Sequence, residues 1–425
     1  MMDSLRIDFL EYLRNALTVM FLIIVISYYF LFLIKKKKIT GLKKFSSISV
    51  IVPAHNEEQY IKECLDSVLN AEFSGFKETI VIDDGSKDST RRIVLGYKKK
   101  NVHLIKTRHI GKSASINLAL KHAKGNIIAI VDGDSVIHKD ALESMVLCLS
   151  DDDVAAATGV IRVKNRKKII CMWVHIELLF NSLMRSLFSR INANIVTPGP
   201  LSMYKKQCLV EVGGFSTEGF SEDVDVTIRL IRKGYKVAFA DSAVAETNMP
   251  YKFREFFNQR VRFARGLVNI LKRHMRFEKK YIDAYALPLL LFNYLQGVIM
   301  GLFIFYQIIS GYYFYFISKG TYFNFYVLKY FFEWFSIVGF VRWAIEAFSG
   351  QSPMGFMVLV GIVSTLLSYP LYFIAICKFD RKLNLLGTIP IFFMFPFWLL
   401  IMLIYIIAIP EFFRKGQYNI WKKNG

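Results

Sequence analysis

Residues 16–34, ALTVMFLIIVISYYFLFLI, hold no charged side chain, and that run limits the fold more than any other feature of the chain. A helix of that length rises about 1.5 Å per residue and crosses a hydrocarbon core of roughly 30 Å. Four lysines follow at once, at 35–38. A cleaved signal peptide has its positive charges before the apolar core and a small-residue cleavage site after it, so the reversed order predicts an uncleaved anchor. Positive flanks stay in the cytoplasm, which puts the N-terminus outside and the chain from Lys35 onward inside.

Strong apolar runs return near 284–309, 354–377 and 385–409. A fourth, 325–347, is interrupted by Lys329, Glu333, Arg342 and Glu346. These form two i,i+4 pairs of opposite sign, which makes a span tolerable although charges within one are costly. Counted as a span, this segment gives five helices and brings the basic tail RKGQYNIWKKNG back to the cytoplasm; without it the tail lies outside, against the charge rule. Three regions are therefore expected: an anchor and basic linker over 1–44, a charged globular domain over 45–276, and a membrane region of three to four spans with a basic tail over 277–425. A hydrophobic content of 54% fits a protein that lies partly in lipid.

A net charge of +21 would suit nucleic acid. Lysine and arginine cluster at 35–44, 265–280 and 414–423, beside the apolar runs, where anionic headgroups attract them. Membrane lipids rather than nucleic acid are the expected partner. The five cysteines, Cys64, Cys148, Cys171, Cys208 and Cys377, show no paired spacing, so reduced, packed thiols are expected.

Between the membrane runs, strand and helix patterns alternate. A short strand at the start of SISVIVPAHNEE, ending at Pro53, leads into the helix EEQYIKECLDSVLNA; ETIVIDDGS leads into KDSTRRIVLGYKKK; VHLIK into GKSASINLALKHAKG; then comes NIIAIVDGD. Such alternation predicts a parallel sheet covered on both faces, and ligands bind beyond the carboxyl ends of its strands. That edge collects Asn56 and Glu57, then Asp83 and Asp84, then Asp132 and Asp134. One strand ending in acid is an ordinary turn; three form a site. No GxxxxGK[ST] or GxGxxG loop cradles phosphate. A diphosphate beside carboxylates therefore needs a divalent cation, and an all-oxygen ligand set suits Mg2+ or Mn2+.

Two later clusters carry chemistry. In GGFSTEGFSEDVDVTIRL, Asp223 and Asp225 head a helical pattern; acidity there suits the helix dipole, and a carboxylate there can also deprotonate an attacking hydroxyl. In NQRVRFARG an arginine over a diphosphate would stabilise the charge that develops as it leaves.

Together, VPAHNEE, IDDGSKDST, GKSASIN, VDGDS, GPLSMYKK, GGFSTEGFSEDVDVTIRL and QRVRF resemble, in order over about residues 47–270, the membrane-embedded family 2 glycosyltransferases. That group holds hyaluronan, chitin-type, cellulose and poly-N-acetylglucosamine synthases. The resemblance implies a GT-A, Rossmann-like α/β fold with transmembrane helices at both ends, and inverting transfer from a UDP-sugar. It implies that Ala54, Asn56, Glu57 and Asp83 or Asp84 hold the uracil and ribose, with Lys112 near the nucleotide. Asp132 and Asp134 would be the DxD pair, Asp134 gripping the diphosphate through Mg2+ or Mn2+, and Asp223 the general base. Gln259, Arg262 and Phe263 match QxxRW, where the tryptophan is replaced; phenylalanine keeps a ring but lacks the indole N–H donor.

The helical stretch 169–190 places Trp173, Ile176, Phe180, Leu183 and Leu187 on one side and His175, Ser182, Arg185 and Ser189 on the other, and is expected at the bilayer surface. Trp421 in the tail is similar to a tryptophan-and-basic ending of the same family. The expected product is a polysaccharide exported as it is made, by an enzyme of the plasma membrane with its catalytic domain cytoplasmic. Transfer of one sugar to a polyprenyl phosphate or glycerolipid is the alternative, and an inactive nucleotide-binding scaffold a second. The sugar itself is not legible.

Overall fold

The N-terminal apolar run folds as one helix, α1 (Met2–Leu33), in a computed structural model that describes residues 2–36, 45–276, 282–351, 353–380 and 385–414. Most of the basic linker and the tail with Trp421 lie outside these residues. The chain divides into two compact units, residues 1–34 with 290–409 and residues 35–289 with 410–425.

In the second unit β1 (Ser47–Ala54) is buried from Ile48 onward, without alternation, as a strand covered on both faces must be. Then come α2 (Ile61–Asn70), β2 (Phe76–Asp83), α3 (Thr90–Leu95), β3 (Val102–Lys106), α4 (Lys112–His122) and β4 (Ile127–Ile130). Helix α2 buries Ile61, Cys64, Leu65 and Val68, the i, i+3, i+4, i+7 stripe of an amphipathic helix. Fully burying an Ile, Leu or Val side chain is worth about 1.5–3 kcal/mol, so this stripe holds α2 to the sheet.

The chain continues through β5 (Ser135–Ile137), α5 (Ala141–Cys148), β6 (Val154–Val163), α6 (Ile169–Phe188), β7 (Ser202–Lys205), α7 (Lys206–Glu211), α8 (Glu222–Arg232), β8 (Lys236–Thr247) and α9 (Phe253–His274). The strand order is β3-β2-β1-β4-β7-β6-β8-β5. The expected all-parallel sheet is corrected to a mixed one: β7 runs antiparallel to β4 and β6, and β5 antiparallel to β8. The alternation that predicts parallel strands stops at β4, because β5 follows too soon for a helical crossover.

Register fixes the functional edge. Ala54 pairs with Asp83 and Asp83 with Lys106, while Ile130 lies between Ile51 and Ser202. The carboxyl ends of β1, β2 and β4 therefore meet the amino end of β7.

Helix α6 packs on β6 and β8 in a way its periodicity does not reveal. β7 pairs with β6 only over residues 156–158, leaving backbone farther along β6 without that partner. The polar side of α6 supplies it: Val163 N–H donates to His175 Nδ1 at 3.2 Å, Ile161 N–H to Ser182 Oγ at 3.4 Å, and Arg185 donates to the Gly159 carbonyl at 3.2 Å. His175, Ser182 and Arg185 are accordingly buried, as are Ile176, Leu183 and Leu187 of the apolar side. What α6 leaves exposed or half-exposed includes Ile169, Trp173 and Phe180.

The first unit contains α1 and most of α10 (Leu287–Tyr315), with α11 (Phe325–Trp334), α12 (Ile337–Phe348), α13 (Phe356–Phe379), α14 (Leu385–Thr388) and α15 (Phe395–Ala408). Among the described residues four helical stretches are long and apolar enough to cross a membrane: Glu11–Leu33, Ile282–Lys319, Phe356–Phe379 and Phe395–Phe412. The segment 325–347 is not one continuous helix. Ser336 caps α12, its hydroxyl accepting from Val338 N–H, and Gly339 presses on the Glu333 carbonyl where a side chain would overlap it. Both expected i,i+4 pairs form, and Arg342 reaches back across the break to Glu333 at 2.6 Å.

Of the cysteines, Cys64, Cys148, Cys171 and Cys208 are buried thiols, whereas Cys377 is exposed.

Candidate active site

The loops after β1 and β2 are bound to each other. Asn56, in the left-handed region at φ 54° that asparagine tolerates, accepts from Lys87 N–H at 2.9 Å, and its own N–H donates to Ser86 Oγ at 3.0 Å. Glu57 N–H donates to Thr90 Oγ1, and Glu58 exchanges bonds with Asp88 and Ser89. Much of the polarity in VPAHNEE and DDGSKDST thus holds two loops in one shape.

The adjacent acids Asp83 and Asp84 differ in kind. Asp83 spends one oxygen on Ser86 N–H. Asp84 is fully buried, and its two oxygens accept from Thr107, Ile110 N–H and Gly111 N–H. Asp84 therefore shapes the loop that leads into α4, and Asp83 is the better placed of the two for a ligand.

The segment Asp132–Ser135 is a tight turn, closed by Ser135 N–H on the Asp132 carbonyl at 2.9 Å and backed by the Cys64 thiol at 3.5 Å. Gly133 is tightly packed, since a Cβ there would lie 3.2 Å from Glu57 Cγ and 3.6 Å from Ala54 Cβ. This packing brings Ala54, Glu57 and the acidic pair together. Asp134 Oδ1 accepts from Ser135 Oγ at 3.1 Å and Thr247 Oγ1 at 3.4 Å. Asp132 Oδ1 lies 2.7 Å from Lys112 Nζ, the first residue of α4, and Glu222 Oε1 lies 3.6 Å from the same ammonium.

Glu222 and Asp223 begin α8. The Asp223 carbonyl accepts from Thr197 and Thr227 hydroxyls, and Thr197 also meets the buried Tyr204 hydroxyl at 2.6 Å. This hydroxyl network, entering with β7, fixes the start of α8 at the sheet edge. Thr197 lies outside the motifs, and nothing in the sequence pattern separates Tyr204, Thr227 and Glu222 from their neighbours within them. Burial first, then the negative charge of Glu222, pushes the Asp223 carboxyl up to about 7, against the opposing charge of Lys112. A carboxylate there can exchange a proton near neutral pH.

Asp225, two residues on, is a different group. It accepts from Arg229 Nε at 2.8 Å, Arg273 at 2.9 Å and His274 Nε2 at 2.9 Å, and these partners, His274 foremost, hold it well below the usual carboxylate range despite burial. It ties α8 to α9.

Helix α9 presents Gln259, Arg262 and Gly266 at i, i+3 and i+7, one face. At Gly266 that face touches Phe220 and Ser221, the residue before Glu222, so closely that a side chain would overlap the Ser221 hydroxyl. Arg260 pairs with Glu177 of α6 at 2.5 and 2.8 Å, and Arg265 with Glu411 at 2.8 Å. Arg262 lies 5.6 Å over the Phe263 ring and makes no ion pair among the described residues. Gln259 Oε1 is buried and accepts no hydrogen bond from them. Phe263 itself is exposed.

Among the described residues no three His, Cys, Asp or Glu side chains converge as a metal cage. Two carboxylates at one turn suit a hard divalent cation that completes its shell with substrate phosphate and water, as Mg2+ does; Asp132 and Asp134 would hold it.

Residues 49–212 match the description of glycosyl transferase family 2. The chain is 28% identical over 281 residues to a Bacillus subtilis protein named "Probable glycosyltransferase YdaM", covering 62% of this chain and 67% of that one. It is 27% identical over 273 residues to the poly-beta-1,6-N-acetyl-D-glucosamine synthase of Staphylococcus aureus (strain COL), covering 63% of this chain and 65% of the synthase. The matched stretch thus spans about two thirds of each relative. A mannosyltransferase from Pyrobaculum calidifontis, solved with GDP-Man and Mn2+, shares the fold with a TM-score of 0.60 and 21% identity over 98% of this chain and 100% of that one.

Proposed function

We propose that the chain is an inverting enzyme that transfers a sugar from a UDP-sugar to an acceptor hydroxyl at the carboxyl edge of the sheet. The observation that carries this reading is the Asp223 carboxyl, poised near neutral at the head of α8, in a cluster with Lys112, Asp132 and Glu222. Asp223 takes the acceptor proton as that oxygen attacks the anomeric carbon, and the bond to UDP breaks on the opposite side, which inverts the configuration. Asp83 with Ala54, Asn56 and Glu57 lines the nucleoside pocket. Arg262, the one arginine of its motif without an ion pair among the described residues, receives the departing diphosphate, while Arg260 holds α9 to α6. Asp132 and Asp134 would hold a divalent cation, which when bound would offset the negative charge of the leaving diphosphate.

The acceptor is proposed to be a growing polysaccharide, exported as it lengthens. Similarity to a poly-N-acetylglucosamine synthase and four helices fit to cross a membrane support this, and the uncovered apolar residues of α6 suit contact with a bilayer surface. The α/β unit would then face the cytoplasm at the plasma membrane. The chain leaves that unit after Leu289 and rejoins it at Pro410; returning to one side requires an even number of crossings, and three helices between them qualify by length. The broken pair α11–α12 is the proposed fourth.

The substitution of Phe263 for tryptophan, with its ring exposed, favours one second reading, single transfer to a lipid acceptor. Sizing the product made by the purified full chain from a panel of UDP-sugars separates the two: a long polymer supports the first, a lipid one sugar longer replaces it.

A further inference from the structure

We infer that Lys112 is a resident counter-cation that holds the place of the divalent metal, so that metal uptake depends on the arrival of the nucleotide diphosphate. This rests on the reading of Asp132 and Asp134 as the metal-holding pair.

Four observations carry it. Lys112 Nζ sits 2.7 Å from Asp132 Oδ1, the group that a metal would need. That oxygen is buried, and the ammonium is the cation held against it. Glu222, 3.6 Å from the same Nζ, is a second carboxylate within reach. Gly199 closes over the pair: a Cβ at that position would lie 2.5 Å from Asp132 Oδ2 and 2.7 Å from Lys112 Nζ. With the chain at Gly199 pressed on both groups, Glu222 is an acidic partner within reach of a displaced ammonium.

A divalent cation approaching Asp132 meets a like charge within a few ångströms, in a site where screening by water is reduced. Entering alone, it must drive Lys112 wholly onto Glu222. Entering with a diphosphate, it adds negative oxygens that give Lys112 a new partner, and the repulsion is offset. Metal and nucleotide therefore strengthen each other's binding, and the coupling is reciprocal.

The test is a Mn2+ titration of the full chain in detergent, free Mn2+ being read by electron paramagnetic resonance, with and without UDP. Wild type should bind Mn2+ weakly alone and about tenfold or more tightly with UDP. Lys112→Met should bind Mn2+ about tenfold more tightly than wild type without UDP, and gain little from adding it. Lys112→Arg should behave as wild type. Folded Lys112→Met protein that binds Mn2+ alone no more tightly than wild type overturns the inference. If Lys112→Met does not fold, Glu222→Gln decides: with the second carboxylate gone, Mn2+ binding alone should weaken several-fold, and unchanged binding overturns the inference. Wild-type protein that takes up neither UDP nor Mn2+ instead defeats the nucleotide-sugar reading itself, and the inference with it.

Discussion

Gly266 of α9 lies against Ser221, the residue that leads into Glu222 and Asp223, with no space between them for a methyl group. This contact sets the face carrying Gln259 and Arg262 beside the start of α8. Gly266→Ala must displace the Ser221 hydroxyl or push the two helices apart, and overpacking of this kind costs about 1–3 kcal/mol. We expect a modest fall in thermal stability and at least a tenfold loss of sugar transfer, because a displacement of about 1 Å at a reacting group can cost a hundredfold. Thermal unfolding and UDP release, measured on the same preparation, check both.

The acid limb of the pH profile follows from Asp223. Its carboxyl is pushed up to about 7 and must be ionised to accept a proton, so kcat/KM should rise with pH through about 7. Glu222 is the second cause of that elevation. Glu222→Gln should therefore move the acid limb to lower pH, and an unchanged or alkaline-shifted limb would remove Asp223 from the role of base.

The two arginines of QRVRF divide differently. Arg260 is committed to Glu177 in a two-pronged, largely buried ion pair, and Arg260→Ala leaves that carboxylate without its partner. Breaking a buried pair costs about 3–5 kcal/mol, so the protein should lose stability first. Arg262→Ala should leave the unfolding temperature nearly unchanged and reduce kcat by about a hundredfold or more, the scale of a lost donor at a developing charge. The reverse pattern would exchange their assignments.

Asp225 makes an acid-dependent contribution to stability. Its folded pKa is depressed below the unfolded value, so the contribution is complete above about pH 4 and is lost as the pH falls below that. Asp225→Asn should lower stability at neutral pH, and the gap between wild type and variant should narrow on acidification. Denaturant unfolding between pH 3 and pH 7 measures the gap directly.

Much of this was legible in the sequence because it is local. The first four strands alternate with helices at short range, and their acidic ends mark the edge where register later aligns Ala54 with Asp83. Asp223 and Asp225 could also have been told apart: two helical residues stand about 200° apart around the axis, so both cannot face one site. What depends on distant partners was hidden. The polar stripe of α6 looks like a solvent face, yet it completes backbone that β7 is too short to pair. Thr197 and Gly199 are unremarkable as letters; one holds the Asp223 carbonyl and the other closes over Lys112. The break between α11 and α12 follows from Ser336 and Gly339, which the apolar run around them conceals.

The most direct measurement is UDP release from a panel of UDP-sugars by the purified full chain with Mg2+ or Mn2+, wild type against Asp223→Asn. The account predicts release with one or two donors, and a fall of about 10²–10⁴-fold in the variant while UDP binding persists. No release with any donor, or a variant with near-full turnover, would contradict it.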